Sequence, residues 1–192
     1  LLSMKQTGQL LPDKVTDLLE NNVVVQHIVG LVTVYVILTM VFPDKPYHQN
    51  IMYAIAYLEK YEIKVIKKSS YYESPSQPNI NDPKFINIVI EVLTSLDPEN
   101  LASVLLFIEE KLERKRGEKN SPRTCDIDII SYYQKIVRGN IIIPHIRMHK
   151  RNFVLIPLYE LDKSWIHPKS KLSIKKLIFS LPIKDITSIK QI

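Results

Sequence analysis

Residues 23–43 carry no formal charge, and an uncharged run of that length leaves a chain few ways to fold. As a helix it would reach roughly 30 Å at about 1.5 Å per residue, enough to cross a bilayer. Composition argues against that outcome. Gln26, His27, Thr33 and Thr39 interrupt the run, β-branched residues crowd positions 32–41, and no basic cluster lies beside it. A buried strand around positions 34–38 fits these residues better, so we expect a strand there and no membrane anchor.

The remaining chain alternates strand and helix signals. After the turn Pro43-Asp44-Lys45-Pro46, apolar residues at Ile51, Ile55 and Leu58 recur at helical spacing. Residues 63–72 are rich in β-formers and end at a loop, 74–83, that is rich in Pro and Asn. Residues 85–93 alternate as a second strand, and Asp97-Pro98 supplies an N-cap followed by Pro at the first helical position. Leu101, Val104, Leu105, Ile108 and Leu112 make the buried stripe of the helix that follows. Residues 125–132 read as a further strand, and 153–181 as short helical pieces broken by Pro. This β-α-β-β-α-β order predicts an α+β sandwich, a mainly antiparallel sheet covered by helices. We expect one folded domain over 34–181, an unassigned extension over 1–33 and a C-terminal tail over 182–192.

Charge and glycine content narrow the chemistry. Lys and Arg number 26 against 20 Asp and Glu, a formal net charge of +6, which favours an anionic partner. Glycine occurs only at Gly8, Gly30, Gly117 and Gly139, so neither a dinucleotide-binding glycine loop nor a P-loop can be written. Any bound phosphates must therefore be held by side chains. The single Cys125 forms no intrachain disulfide and excludes thiolate zinc sites, in keeping with a reducing cytoplasm.

The segment Ser121-Pro122-Arg123-Thr124-Cys125-Asp126-Ile127-Asp128-Ile129-Ile130 says most about function. In a strand, Asp126 and Asp128 project from one face while Cys125, Ile127 and Ile129 enter the core on the other. Two carboxylates this close repel unless a cation lies between them, and such oxygen ligands suit Mg²⁺. Read alone, the pair is more often a solvated couple on an open sheet face, and its neighbours change that balance. Upstream, Lys111, Arg114, Lys115, Arg116, Lys119 and Arg123 bring six cations against two acids, Glu113 and Glu118. Cations beside a metal-binding carboxylate pair suit a polyphosphate and point to phosphoryl-type transfer. Nucleic acid would use the same cations without needing the aspartates, and we expect no nucleic-acid partner. A second basic group spans His145 to Phe153. His145 and His149 have the spacing of a helical zinc pair but lack the accompanying Glu and a third ligand, so phosphate contact is the expectation. Phe85 and Asn87 share one strand face, an arrangement suited to a flat heterocycle but, taken alone, more often a core aromatic beside a satisfied buried amide.

Several of these segments occur in one order. Ser69-Ser70-Tyr71-Tyr72-Glu73-Ser74-Pro75, Phe85-Ile86-Asn87, Ile108-Glu109, Arg114-Lys115-Arg116, Pro122-Arg123-Thr124-Cys125-Asp126-Ile127-Asp128 and Pro144-His145-Ile146-Arg147-Met148-His149 lie along the chain in sequence. Together with Arg151, Phe153-Val154-Leu155 and Pro157-Leu158, they resemble the 6-hydroxymethyl-7,8-dihydropterin pyrophosphokinase family over roughly 34–181. The resemblance implies a ferredoxin-like α+β fold with mobile loops at 74–83 and 115–121. It also implies transfer of diphosphate from ATP to the hydroxymethyl group of 6-hydroxymethyl-7,8-dihydropterin in folate biosynthesis. By the same resemblance Asp126 and Asp128 hold two Mg²⁺ ions with ATP. Arg114, Arg116, Arg123, His145 and Arg151 contact the phosphates or close over them, and Glu109 lies near the ATP site. Phe85 and Phe153 sandwich the pterin, while Asn87, Ser74 and Pro75 read its edge. A cytoplasmic monomer is expected.

Two departures stand out. The family's Gly-Ser-Asn after the first strand is here Thr39-Met40-Val41, and its Trp-Gly before Pro-Arg-Thr is Asn120-Ser121. A non-catalytic relative that retains ligand binding, and a membrane-anchored form, are the alternative expectations.

Overall fold

The computed structural model describes residues 31–41, 47–76, 83–112 and 125–192. Its elements are β1 (Val32–Val41), α1 (Tyr47–Lys60), β2 (Lys64–Lys68), β3 (Tyr72–Ser74), β4 (Phe85–Thr94), α2 (Pro98–Lys111), β5 (Asp126–Tyr132), a 3₁₀ turn (Met148–Lys150), α3 (Asn152–Leu161), α4 (Ile174–Phe179), α5 (Ile183–Ser188) and β6 (Lys190–Gln191). Arg114, Arg116 and Arg123 lie outside the described residues. So do the expected 115–121 loop and residues 77–82 of the 74–83 loop.

The described part of the uncharged run is β1, which pairs antiparallel with β4 on one side and β5 on the other. Val34, Val36 and Leu38 are buried on one face of this strand, and Tyr35 and Ile37 on the other. A central strand covered on both faces has no solvent-facing row on which to carry charge, which is why its sequence is uncharged throughout. Among the described residues no helix is long and apolar enough to cross a membrane.

The sheet runs β5-β1-β4-β3-β6, with β2 also pairing with β4, and every pair is antiparallel. With α1 and α2 as the two crossovers this is the ferredoxin-like α+β arrangement. Both helices pack on one face, where Ile51, Ala54 and Leu58 of α1 and Leu101, Val104, Leu105 and Ile108 of α2 meet the β1, β4 and β5 side chains. The start of α2 follows its sequence signals. Asp97 accepts a hydrogen bond from the Asn100 N–H at 2.8 Å, and Pro98 opens the helix. On the opposite face Val154, Leu155 and Leu158 of α3, with Trp165 and Ile174 and Leu177 of α4, cover Tyr35, Ile37, Val89 and Ile130.

Three local features depart from the sequence reading. Residues 63–72, read as one β-rich stretch, divide into β2 and β3. The helical spacing of His145 and His149 corresponds to no α-helix, because His149 lies in the 3₁₀ turn that precedes α3. Residues 182–192, expected as a tail, supply α5 and β6. The latter joins the sheet through Tyr72↔Gln191 and Glu73↔Lys190, helped by a Gln191 Nε2 donation to Ser70 Oγ at 2.9 Å.

Candidate active site

Strand register brings the candidate residues together. Thr39 of β1 lies opposite both Asn87 of β4 and Asp126 of β5, and Asn87 lies opposite Tyr72 of β3. Asp126, Thr39, Asn87 and Tyr72 thus form one row across four strands. At about 4.8 Å per strand, Asp126 and Asn87 stand roughly 10 Å apart. Asp128 is opposite Ile37 in the adjoining row, on the same face as Asp126, while Ile127 and Cys125 are buried in the α1–α2 core as the alternation requires. A β-bulge follows, since the register shifts between Tyr35 and Val36 and leaves Ile130 as the extra residue. Ile130 enters the α3–α4 core.

The acidic end of the row has cationic and imidazole neighbours. The Asp128 side chain is 44% exposed, and its Oδ2 is 4.0 Å from His145 Nε2. His145 is positioned by its backbone N–H, which donates to the Ile130 carbonyl at 3.0 Å. Its Nδ1 accepts from the Arg147 N–H at 3.2 Å, so the neutral ring carries its proton on Nε2, the nitrogen facing Asp128. Burial first, then Arg151 and Arg147, lowers the imidazole to about 4, so it is neutral at pH 7. Arg151 is half-buried at the entrance to α3. Burial and Arg147 lower its pKa, while Asp128 and Asp126 favour its charge. Its guanidinium carbon lies 5.4 Å from the centre of the Phe153 ring, an aromatic–cation contact.

Behind β5, the buried Glu109 of α2 accepts a hydrogen bond from the Ile127 N–H at 2.7 Å. Ile127 is the residue between the two aspartates, so this bond fixes the stretch of backbone that carries both. Glu109 therefore acts here on the strand itself.

At the other end of the row Asn87 is fully buried. Its Oδ1 accepts from the Thr39 hydroxyl at 3.1 Å. Its Nδ2 donates to Ser74 Oγ at 2.9 Å and to the Tyr72 carbonyl at 3.3 Å. Both amide hydrogens are therefore committed, and one Oδ1 lone pair is left to accept a further bond. Phe85, paired with Ser74 and half-buried, flanks this amide, and Pro75 continues from Ser74. Thr39 and Tyr72 were not among the sequence candidates. Only the β1–β4–β3 register reveals them, although Thr39 sits where the family's Gly-Ser-Asn is altered.

The arrangement pairs a carboxylate couple and cations at one end with an aromatic and a fixed amide at the other. The model of the 7,8-dihydro-6-hydroxymethylpterin-pyrophosphokinase (HPPK) family matches residues 44–163, more than half of the chain. The chain belongs to the HPPK family. A 2-amino-4-hydroxy-6-hydroxymethyldihydropteridine pyrophosphokinase of Synechocystis is 39% identical over 139 residues, covering 69% of this chain and 69% of that protein. One from Aquifex aeolicus is 32% identical over 139 residues, covering 71% and 81%. A folic acid synthesis protein of Pneumocystis carinii is 40% identical over 125 residues, but the match spans 65% of this chain and only 17% of that longer protein. Among solved structures, an HPPK-DHPS in complex with substrates superposes with a TM-score of 0.65 at 13% identity, over 84% of this chain and 46% of the other. A Plasmodium falciparum HPPK-DHPS triple mutant gives 0.67 at 15% identity, over 84% and 48%. The chain thus spans less than half of these structures, and at such identities they speak to its fold alone.

Proposed function

We propose that the chain transfers the terminal diphosphate of ATP to the hydroxymethyl oxygen of 6-hydroxymethyl-7,8-dihydropterin, giving the pterin diphosphate and AMP, as a cytoplasmic monomer. The observation that carries this reading is the cross-strand row, which sets the aspartate pair about two strand spacings from the Asn87–Phe85 end. A pterin seated at Asn87 would place its hydroxymethyl arm toward a polyphosphate held at Asp126 and Asp128.

The two aspartates suit Mg²⁺, being oxygen donors on one strand face with Asp128 open to solvent. When bound, the ions would neutralise polyphosphate charge and orient the reacting oxygens. The chain's own residues provide the remaining charge and positioning. Arg151, together with Arg114, Arg116 and Arg123, would bind the phosphate oxygens that develop charge during transfer. His145 would donate from Nε2 as a neutral group, stabilising an oxygen without adding net charge. Phe85 and Phe153 would stack on the pterin faces. Asn87 would accept an N–H of the ring edge through its remaining lone pair, with Ser74 and Pro75 beside it. Glu109 would keep the aspartate-bearing backbone in register.

The test is AMP release measured with ATP, Mg²⁺ and the pterin. Pterin-dependent AMP formation is expected. A folded preparation that binds the pterin yet releases none would overturn the reading in favour of a non-catalytic binder.

A further inference from the structure

Beyond the aspartate site, the segments around 136–146 and 167–172 enclose a cavity of about 420 Å³, within the size range of small-molecule sites. Its walls include Ile146, Leu172 and Leu177. Two of these are large apolar side chains left well exposed, Ile146 at 60% and Leu172 at 40%. No Asp or Glu lines it, whereas Arg138 and Lys169 do.

One polar group in this wall is held in a fixed orientation. His167 is 7% exposed, and its Nδ1 accepts from the backbone N–H groups of both Lys169 and Ser170, each at 3.2 Å. Those two bonds occupy the Nδ1 lone pair and place the ring proton on Nε2. Among the described residues Nε2 has no hydrogen-bond acceptor. The His149 ring, 6.5 Å away and perpendicular, and that of Trp165 at 5.7 Å flank the imidazole, and His149 also lines the cavity. With Nδ1 held by those bonds, Nε2–H is the ring's one remaining donor, in a residue that lines the cavity. A ligand acceptor entering the cavity would satisfy it, and the two cations favour a negative one.

We propose that this cavity is a second ligand site, for a small monocarboxylate with an apolar body, whose carboxylate accepts from His167 Nε2–H and faces Arg138 and Lys169. A single charge suits one ring donor and mostly apolar walls, whereas a doubly charged phosphate would require more donors. The cavity shares His145 with the candidate active site, so its occupant would lie against the back of that residue.

Isothermal titration of the full chain with octanoate, octylammonium and octanol, repeated with a saturating non-hydrolysable ATP analogue and Mg²⁺, tests the assignment. Saturable binding of octanoate at least tenfold tighter than of octylammonium is expected, retained with the nucleotide analogue present. His167→Phe, which keeps the ring volume and removes the donor, should weaken octanoate at least tenfold and leave octanol unchanged. Leu172→Trp, at a half-open position, should fill the cavity and weaken octanoate to the same degree even if the first variant does not fold. Equal binding of octanoate and octylammonium, one-for-one displacement by the nucleotide analogue, or unchanged octanoate affinity in either folded variant would overturn the proposal.

Discussion

Replacing Glu109 tests how the aspartate-bearing strand is held. The carboxylate lies in the last turn of α2 and is buried, a position where the helix dipole opposes negative charge. Its Oε1 nonetheless accepts from the Ile127 N–H at 2.7 Å, a short, charge-assisted bond. Glu109→Ala removes that acceptor and leaves a buried backbone N–H unpaired, a loss of about 2–3 kcal/mol. The better helix propensity of Ala recovers only a few tenths of a kcal/mol at most. For a domain of this size about 3 °C of melting temperature accompanies each kcal/mol, so a fall of roughly 6–9 °C is expected. Glu109→Gln keeps an oxygen acceptor without the charge and should lose about half as much. Circular-dichroism melting measures both, and hydrogen exchange at the Ile127 amide shows where the change lies. An Ala variant that melts within about 1 °C of the parent with undiminished Ile127 protection would refute the reasoning.

Thr39→Val should weaken pterin binding by about tenfold while Thr39→Ser restores it, because the hydroxyl is the group that donates to the Asn87 Oδ1; equal affinities in a titration with the pterin would contradict this. Phe153→Ala should chiefly raise the KM for the pterin, and steady-state kinetics showing a defect confined to ATP would contradict its stacking role. Burial, then Glu109 and Asp126, pushes the Cys125 thiol up, so native protein should resist a thiol-specific disulfide reagent at pH 8 until it unfolds. The same shift makes stability depend on pH. Below the unfolded thiol pKa near 8.5 the full contribution is present. Above it the unfolded state ionises while the folded state keeps its proton, so denaturant midpoints should fall as pH rises past about 9. A midpoint that rises there would contradict the assignment.

The parts of this molecule governed by local periodicity were legible in the sequence. Alternation alone places Asp126 and Asp128 on one face of β5 and Ile127 on the other, and the Asp97-Pro98 pair marks the start of α2. What depended on distant pairing was hidden. Nothing near Thr39 indicates that its hydroxyl meets Asn87, 48 residues away, because that contact follows from the β1–β4 register. The extra residue at Ile130 is likewise invisible to a period-two reading, since an Ile run looks the same with or without a bulge. Pro157 suggested a break, yet α3 continues through it. The last residues read as a tail because β6 is only two residues long and draws its partners from β3.

On the proposed reading, Asp126 and Asp128 together hold the metal that brings ATP to the sheet. Titrating the full chain with a non-hydrolysable ATP analogue, with and without Mg²⁺, tests it most directly when compared with Asp126→Asn and Asp128→Asn. The account predicts Mg²⁺-dependent binding that falls at least a hundredfold in either variant while the melting temperature changes little. Nucleotide affinity that is independent of Mg²⁺, or equal in parent and variants, would contradict it.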